Sequence, residues 1–132
     1  MLDYEDLERA ADTNDIVIVV NPDNPTGRLI ERARIEAALA TLAARNGWLV
    51  VDEAFMDATP EASVASGAGR SGLVVLRSLG KFFGLAGARV GFVLASATVT
   101  QCLAQILGPW TVAGPSRLIA RQALADNTWQ TR

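Results

Sequence analysis

Residues 16–27 read IVIVVNPDNPTG: five apolar β-branched side chains without a break, then a loop of turn formers. Such an unbroken run reads as a strand buried on both faces, as parallel strands in α/β proteins usually are. The prolines and glycine of 21–27 then interrupt regular structure. Working outward, Ile35, Ala38, Leu39 and Leu42 recur at helical spacing, and Asn46-Gly47 supplies a stop signal. WLVVDEAF at 48–55 is a second short apolar strand that ends in two carboxylates. LVVL at 73–76 is a third, and VGFVLA at 90–95 a fourth. Residues rich in Ser, Ala and Gly up to Gly72 read as loop, and two further helices are expected near 97–107 and 115–126, separated by GPWTVAG.

Strand, helix, strand, crossover, strand predicts an α/β fold with a mostly parallel sheet flanked by helices. Ligands of such sheets collect beyond the carboxyl ends of the strands. That rule singles out Asn21 and Asn24 after the first strand, Asp52 and Phe55 at the end of the second, and Ser78 and Lys81 after the third. If the three strands are neighbours, an amide, a carboxylate, a hydroxyl and an amine converge on one edge.

The composition narrows the chemistry. A chain of 132 residues, half of them hydrophobic, suits one globular domain. A net charge of −2 without a basic stripe argues against nucleic acid. Cys102 stands alone, which excludes an internal disulfide and fits a reducing compartment. With no histidine and no second cysteine, the usual zinc and triad sites cannot be assembled. The acidic start MLDYEDLERAAD is unlike a secretory signal, and no apolar run is long enough to span a bilayer, so a cytoplasmic protein is expected. SGAGRSG at 66–72 lacks the lysine of a phosphate-binding P-loop and precedes a strand, so it reads as a flexible surface loop.

Lys81 is the one lysine in a chain with eleven arginines. Coding bias alone would leave it an exposed side chain. Placed at a sheet edge with a carboxylate and phosphate-sized donors, it suits pyridoxal phosphate, whose aldehyde needs an amine, whose ring nitrogen needs an acid and whose phosphate needs hydroxyls and a cation. Lys81 would form the Schiff base, desolvated by Phe82, Phe83 and Leu85; Asp52 would pair with the pyridinium; Asn24 could donate to the ring phenolate; Ser78 and Arg89 could hold the phosphate. Singly, each residue has a plainer reading: Asp52-Glu53 a solvated pair, Asn24 a turn residue, Ser78 a helix cap, Arg89 a surface charge.

In combination, these stretches resemble the motifs of the fold type I pyridoxal phosphate enzymes, the aspartate aminotransferase superfamily. NPDNPTG is similar to its Asn-Pro-x-Asn-Pro-Thr-Gly loop, VDEAF to its Asp-x-Ala-Tyr strand end, and RSLGKFFGLAGARVGF to its lysine segment, with an arginine eight residues past the lysine. The resemblance runs from about Asp3 to Ala125. It implies Lys81 and Asp52 as catalytic residues, and Asn24, Asp52, Phe55, Ser78, Lys81 and Arg89 around the cofactor. Two departures stand out: Phe55 replaces the usual tyrosine, and Gly80 the serine or threonine before the lysine. Loss of the tyrosine hydroxyl leaves Asn24 as the one side-chain donor to the phenolate.

Within the superfamily, DEAF, the lysine segment and GPWTVAGP most resemble the cobalamin-pathway L-threonine O-3-phosphate decarboxylases, and next the histidinol-phosphate aminotransferases. The first resemblance implies decarboxylation of a small amino-acid phosphate to aminopropanol phosphate. It also implies that residues 1–132 are the central piece of a large cofactor-binding domain, without the N-terminal arm, the first strands or the C-terminal small domain, and that the whole enzyme is a homodimer. Turnover, cofactor binding without turnover, and a non-catalytic module are the three behaviours this leaves open for the chain.

Overall fold

A computed structural model describes residues 4–131. Four strands, β1 (Ile16–Val20), β2 (Trp48–Asp52), β3 (Leu73–Ser78) and β4 (Gly91–Ala95), form one sheet in that spatial order. The first three are parallel, and β4 returns antiparallel to β3. Parallel neighbours need a crossover. Between β1 and β2 it is helix α2 (Arg32–Ala43); between β2 and β3 it is three short 3-10 turns at Met56–Ala58, Pro60–Ala62 and Ala65–Gly67. In register, Val20 faces Asp52 and Asp52 faces Leu76, so the carboxyl ends of the parallel strands share one edge.

Side chains alternate across a strand, so every second residue shares a face. Val17, Leu49, Val51, Leu73 and Val75 bury against Ile35, Ala38, Leu39 and Leu42 of α2, the four residues whose spacing predicts that helix. Full burial of each large aliphatic side chain contributes roughly 1.5–3 kcal/mol. Asn46, with φ 58°, turns the chain out of α2 just before β2. Gly47 and Gly72 then bring the strand starts close together: Gly72 has φ +77°, and a Cβ there would lie 2.7 Å from the Gly47 carbonyl oxygen.

The opposite face corrects one expectation. IVIVV is buried on one face only: Ile16 and Ile18 are 61% and 68% exposed, and Val20, Trp48 and Val93 on the same face are exposed too. The described helices supply a covering layer for one side of β1 and none for the other. The β-branched run reports strand propensity, which the covered and bare positions share.

Helix α1 (Tyr4–Thr13) is not foreshadowed by the acidic, polar character of its sequence; Met1–Asp3 lie outside the described residues. Leu7 and Ala11, one turn apart, join the core, while Glu8 pairs with Arg34 of α2 at 2.8 Å. Arg45 donates to the carbonyl oxygens of Ala11 and Asn14, placing a cation at the negative end of α1. After β4 come α3 (Ala97–Leu107), α4 (Gly114–Ala125) and the single turn α5 (Asn127–Gln130). Ala120 of α4 packs on a second cluster with Leu79 and Val90, next to Phe83, Leu85 and Phe92. No described helix is long and apolar enough to cross a membrane. SGAGRSG is less open than expected, since its first residues belong to a 3-10 turn and Ala68 is buried.

Candidate active site

The carboxyl edge of the sheet is built from three chain exits. At the first, Asn21 donates its backbone N–H to the Asp52 carbonyl at 2.9 Å, tying the start of the 21–30 loop to the end of β2. The Asn21 side chain is buried and accepts from Ile30 N at 2.8 Å; its Nδ2 has no partner among the described residues. Further out the loop closes on itself, with Gly27 N donating to the Asp23 carbonyl and Thr26 to the Asp23 carboxylate. Asn24 sits in this closed loop, exposed, its side chain without a hydrogen bond among the described residues.

The second exit presents Asp52, half-buried on the less covered face. Its Oδ1 accepts from Ala54 N at 3.0 Å, and Oδ2 has no partner among the described residues. The third leaves β3 at Ser78, whose Oγ accepts from Gly80 N at 3.0 Å in a local turn, so Ser78 caps a turn and no helix. Lys81 follows at once, its carbonyl accepting from Gly84 N. Its Nζ stands 5.1 Å from the centre of the Phe55 ring, a cation–π contact, and no carboxylate pairs with it among the described residues.

Lys81 is exposed, which corrects the desolvation expected of it. Phe82 and Phe83 turn instead to Trp129 of α5, with ring centres 5.4 and 5.8 Å from the indole. The rings that flank the lysine in sequence thus anchor the segment and leave the amine open.

Ser78 and Arg89 meet in a cavity of about 180 Å³, lined also by Gly80, Leu85, Ala86, Val90 and Gly91. Arg89 adopts the left-handed conformation, φ 52°, and donates from Nη1 to the Ala86 carbonyl at 3.2 Å. A hydroxyl, a guanidinium and glycine backbone around a space of several water volumes, each about 30 Å³, fit an oxyanion such as phosphate. A Cβ on Gly80 would come within 3.3 Å of Ser78 Oγ and 3.4 Å of the Ala86 Cα, so the glycine keeps this space open. A larger cleft of about 740 Å³ between β4 and α4 shares only Val90 and Gly91 with it and contains none of the six candidate residues.

The structure therefore joins Lys81 to Phe55 and Ser78 to Arg89, places Asp52 in register beside the same strand, and leaves Asn24 on the same edge without contact to the others. It also corrects the plain reading of Asp52-Glu53 as a solvated pair. Glu53 is fully buried, accepting from Arg77 Nη1 at 3.0 Å, Ser63 Oγ at 2.6 Å and Val64 N at 2.7 Å; Arg77 Nη2 reaches Asp57 at 2.5 Å. The sequence reading missed this network. Its signal is alternation: Leu49, Val51, Glu53 and Leu73, Val75, Arg77 continue one face of two adjacent strands into opposite charges.

Comparison with known proteins adds four relationships. The family model described as aminotransferase class I and II matches residues 1–130. The chain is 55% identical over 125 residues to the threonine-phosphate decarboxylase of Pseudomonas aeruginosa, covering 95% of this chain and 38% of that protein. It is 43% identical over 126 residues to the histidinol-phosphate aminotransferase of Sodalis glossinidius, covering 95% and 35%. Among solved structures, the histidinol-phosphate aminotransferase of Sinorhizobium meliloti in complex with pyridoxal-5'-phosphate superposes with a TM-score of 0.85 at 28% identity, over 98% of this chain and 36% of that one. The chain thus spans less than two-fifths of the length of these curated relatives.

Proposed function

The chain belongs to the class I and II aminotransferase family, and from that membership we propose that it forms the cofactor-binding core of a pyridoxal-phosphate-dependent threonine-phosphate decarboxylase. The observation that carries the reading is the Ser78–Arg89 cavity, close in sequence to an open lysine amine that no acid neutralises among the described residues. The higher identity to the decarboxylase, 55% against 43%, favours it over the aminotransferase.

Pyridoxal phosphate, when bound, supplies an electron sink for the bond broken at the substrate's α-carbon. The chain's own residues do the rest. Lys81 Nζ would be the amine that holds the cofactor's aldehyde and the group able to carry a proton to or from the substrate's α-carbon. Arginine could not replace it, because a guanidinium stays protonated. Asp52, whose Oδ2 has no partner among the described residues, would hold the ring nitrogen in its protonated form. Ser78 and Arg89 hold the phosphate, and Asn24 is the donor toward the phenolate. Phe55 lies under the Lys81 ammonium and contributes no hydroxyl.

The substrate is then a small amino-acid phosphate, and the product aminopropanol phosphate would enter cobalamin synthesis. We place residues 1–132 within the large domain of a longer, dimeric, cytoplasmic enzyme; the partial coverage of the relatives supports the longer chain. Carbon dioxide release from L-threonine O-3-phosphate, set against amino transfer from histidinol phosphate, tests the assignment in the polypeptide that carries this chain. Release without transfer is expected. Transfer without release would replace the decarboxylase by the aminotransferase.

A further inference from the structure

Glu53 and Arg77 lie beside the candidate site without belonging to it. Each is the chain neighbour of a residue that does belong, Asp52 and Ser78. Because side chains alternate, the pair projects to the helix-covered face while Asp52 and Ser78 project to the other.

The pair sits where the backbone ladder ends. Asp52 and Leu76 are the last partners of β2 and β3, and Glu53 N adds one further bond to the Leu76 carbonyl at 2.9 Å. Beyond that point the strands part. β3 continues along β4 through Arg77 and Ser78, while the chain after Glu53 turns into the 3-10 turn at Met56–Ala58. The 3.0 Å ion pair therefore replaces a ladder bond at the position of divergence. Ser63 Oγ and Val64 N satisfy the rest of the carboxylate, and Asp57 takes the second guanidinium nitrogen. An apolar pair of like volume could hold two strands together as well. Charge-assisted bonds add direction, which apolar packing lacks.

We infer that the Glu53–Arg77 pair is a positioning device that sets the separation and direction of Asp52 and of the Ser78–Lys81 segment, so that both can grip one cofactor molecule. This rests on the cofactor reading proposed above. Sites of this kind tolerate displacements of only about 0.5 Å.

The test compares the full chain with Glu53→Gln, Asp57→Asn and, as a control for lost stability alone, Leu39→Ala. Leu39 is buried in α2 and reaches toward Gly72 at the opposite edge of the sheet. Each protein is titrated with pyridoxal phosphate for affinity and for the pH midpoint of the visible absorbance, and melted without cofactor. Glu53→Gln and Asp57→Asn are expected to bind roughly tenfold more weakly or worse and to move the midpoint. Leu39→Ala is expected to lower the melting temperature at least as far, with affinity and midpoint unchanged. Should Glu53→Gln fail to fold, Asp57→Asn carries the comparison, since it removes the charge that fixes the second guanidinium nitrogen and so loosens the direction of Arg77 while leaving the Glu53 carboxylate in place. Affinity and midpoint equal to those of the unaltered chain would overturn the inference and leave the cofactor reading intact. An unaltered chain that binds no pyridoxal phosphate would overturn both.

Discussion

Lys81 Nζ lies 5.1 Å from the centre of the Phe55 ring, across the gap between the ends of β3 and β2. The contact joins the one primary amine among the side chains to the position where the family's motif carries a tyrosine. A ring face attracts a cation without accepting its proton. Phe55 therefore steadies the amine and offers no donor to a cofactor beside it.

Phe55→Tyr is expected to lower the pH at which the lysine–aldehyde linkage loses its proton. A hydroxyl donated to the phenolate stabilises that anion and weakens its hold on the neighbouring proton. Absorbance titration of the reconstituted variant checks this; an unchanged or raised midpoint would contradict it.

Arg89 spends conformational energy for its place in the cavity. A left-handed φ of 52° disfavours any side chain with a Cβ, and glycine there relieves roughly 1 kcal/mol. Arg89→Gly should thus raise the urea midpoint of the free protein while weakening pyridoxal phosphate binding about tenfold, the loss of a charged hydrogen bond. A variant that is less stable, or that binds as before, would show that the arginine serves the fold.

Val17 and Ile18 are neighbours on opposite faces of β1, 8% and 68% exposed. Lysine at 18 should change stability by no more than about 0.5 kcal/mol and should reduce self-association of the bare apolar face in sedimentation. Lysine at 17 should cost roughly 3 kcal/mol or more, because its charge would enter the core. Equal losses at both positions would mean that the face is covered.

Much of this arrangement is legible in the residues. Strands and turn residues carry local signals, so IVIVV, WLVVD and LVVL mark β1, β2 and β3, and the spacing of Ile35, Ala38, Leu39 and Leu42 marks the buried stripe of α2. The rule that ligands gather at the carboxyl ends of parallel strands points to Asn24, Asp52, Phe55, Ser78 and Lys81 at one edge. What stayed hidden depends on pairing across the fold. Glu53 and Arg77 are 24 residues apart, and the alternation that puts each on the covered face marks a pair only once β2 and β3 are known to be neighbours. The bare side of β1 was hidden for a related reason: β-branched residues serve a covered and an uncovered strand face alike. Phe82 and Phe83 beside Lys81 suggested a desolvated amine, yet Trp129, far along the chain, draws them away.

The central claim is that Lys81 bonds the cofactor. Borohydride reduction of the protein with pyridoxal phosphate, followed by peptide mapping, measures this directly, because the only other primary amine in the chain is the N-terminal one. The label is expected on the peptide containing Lys81 and is expected to vanish in Lys81→Arg. A label confined to the N-terminal amine, or none at all, would contradict the account.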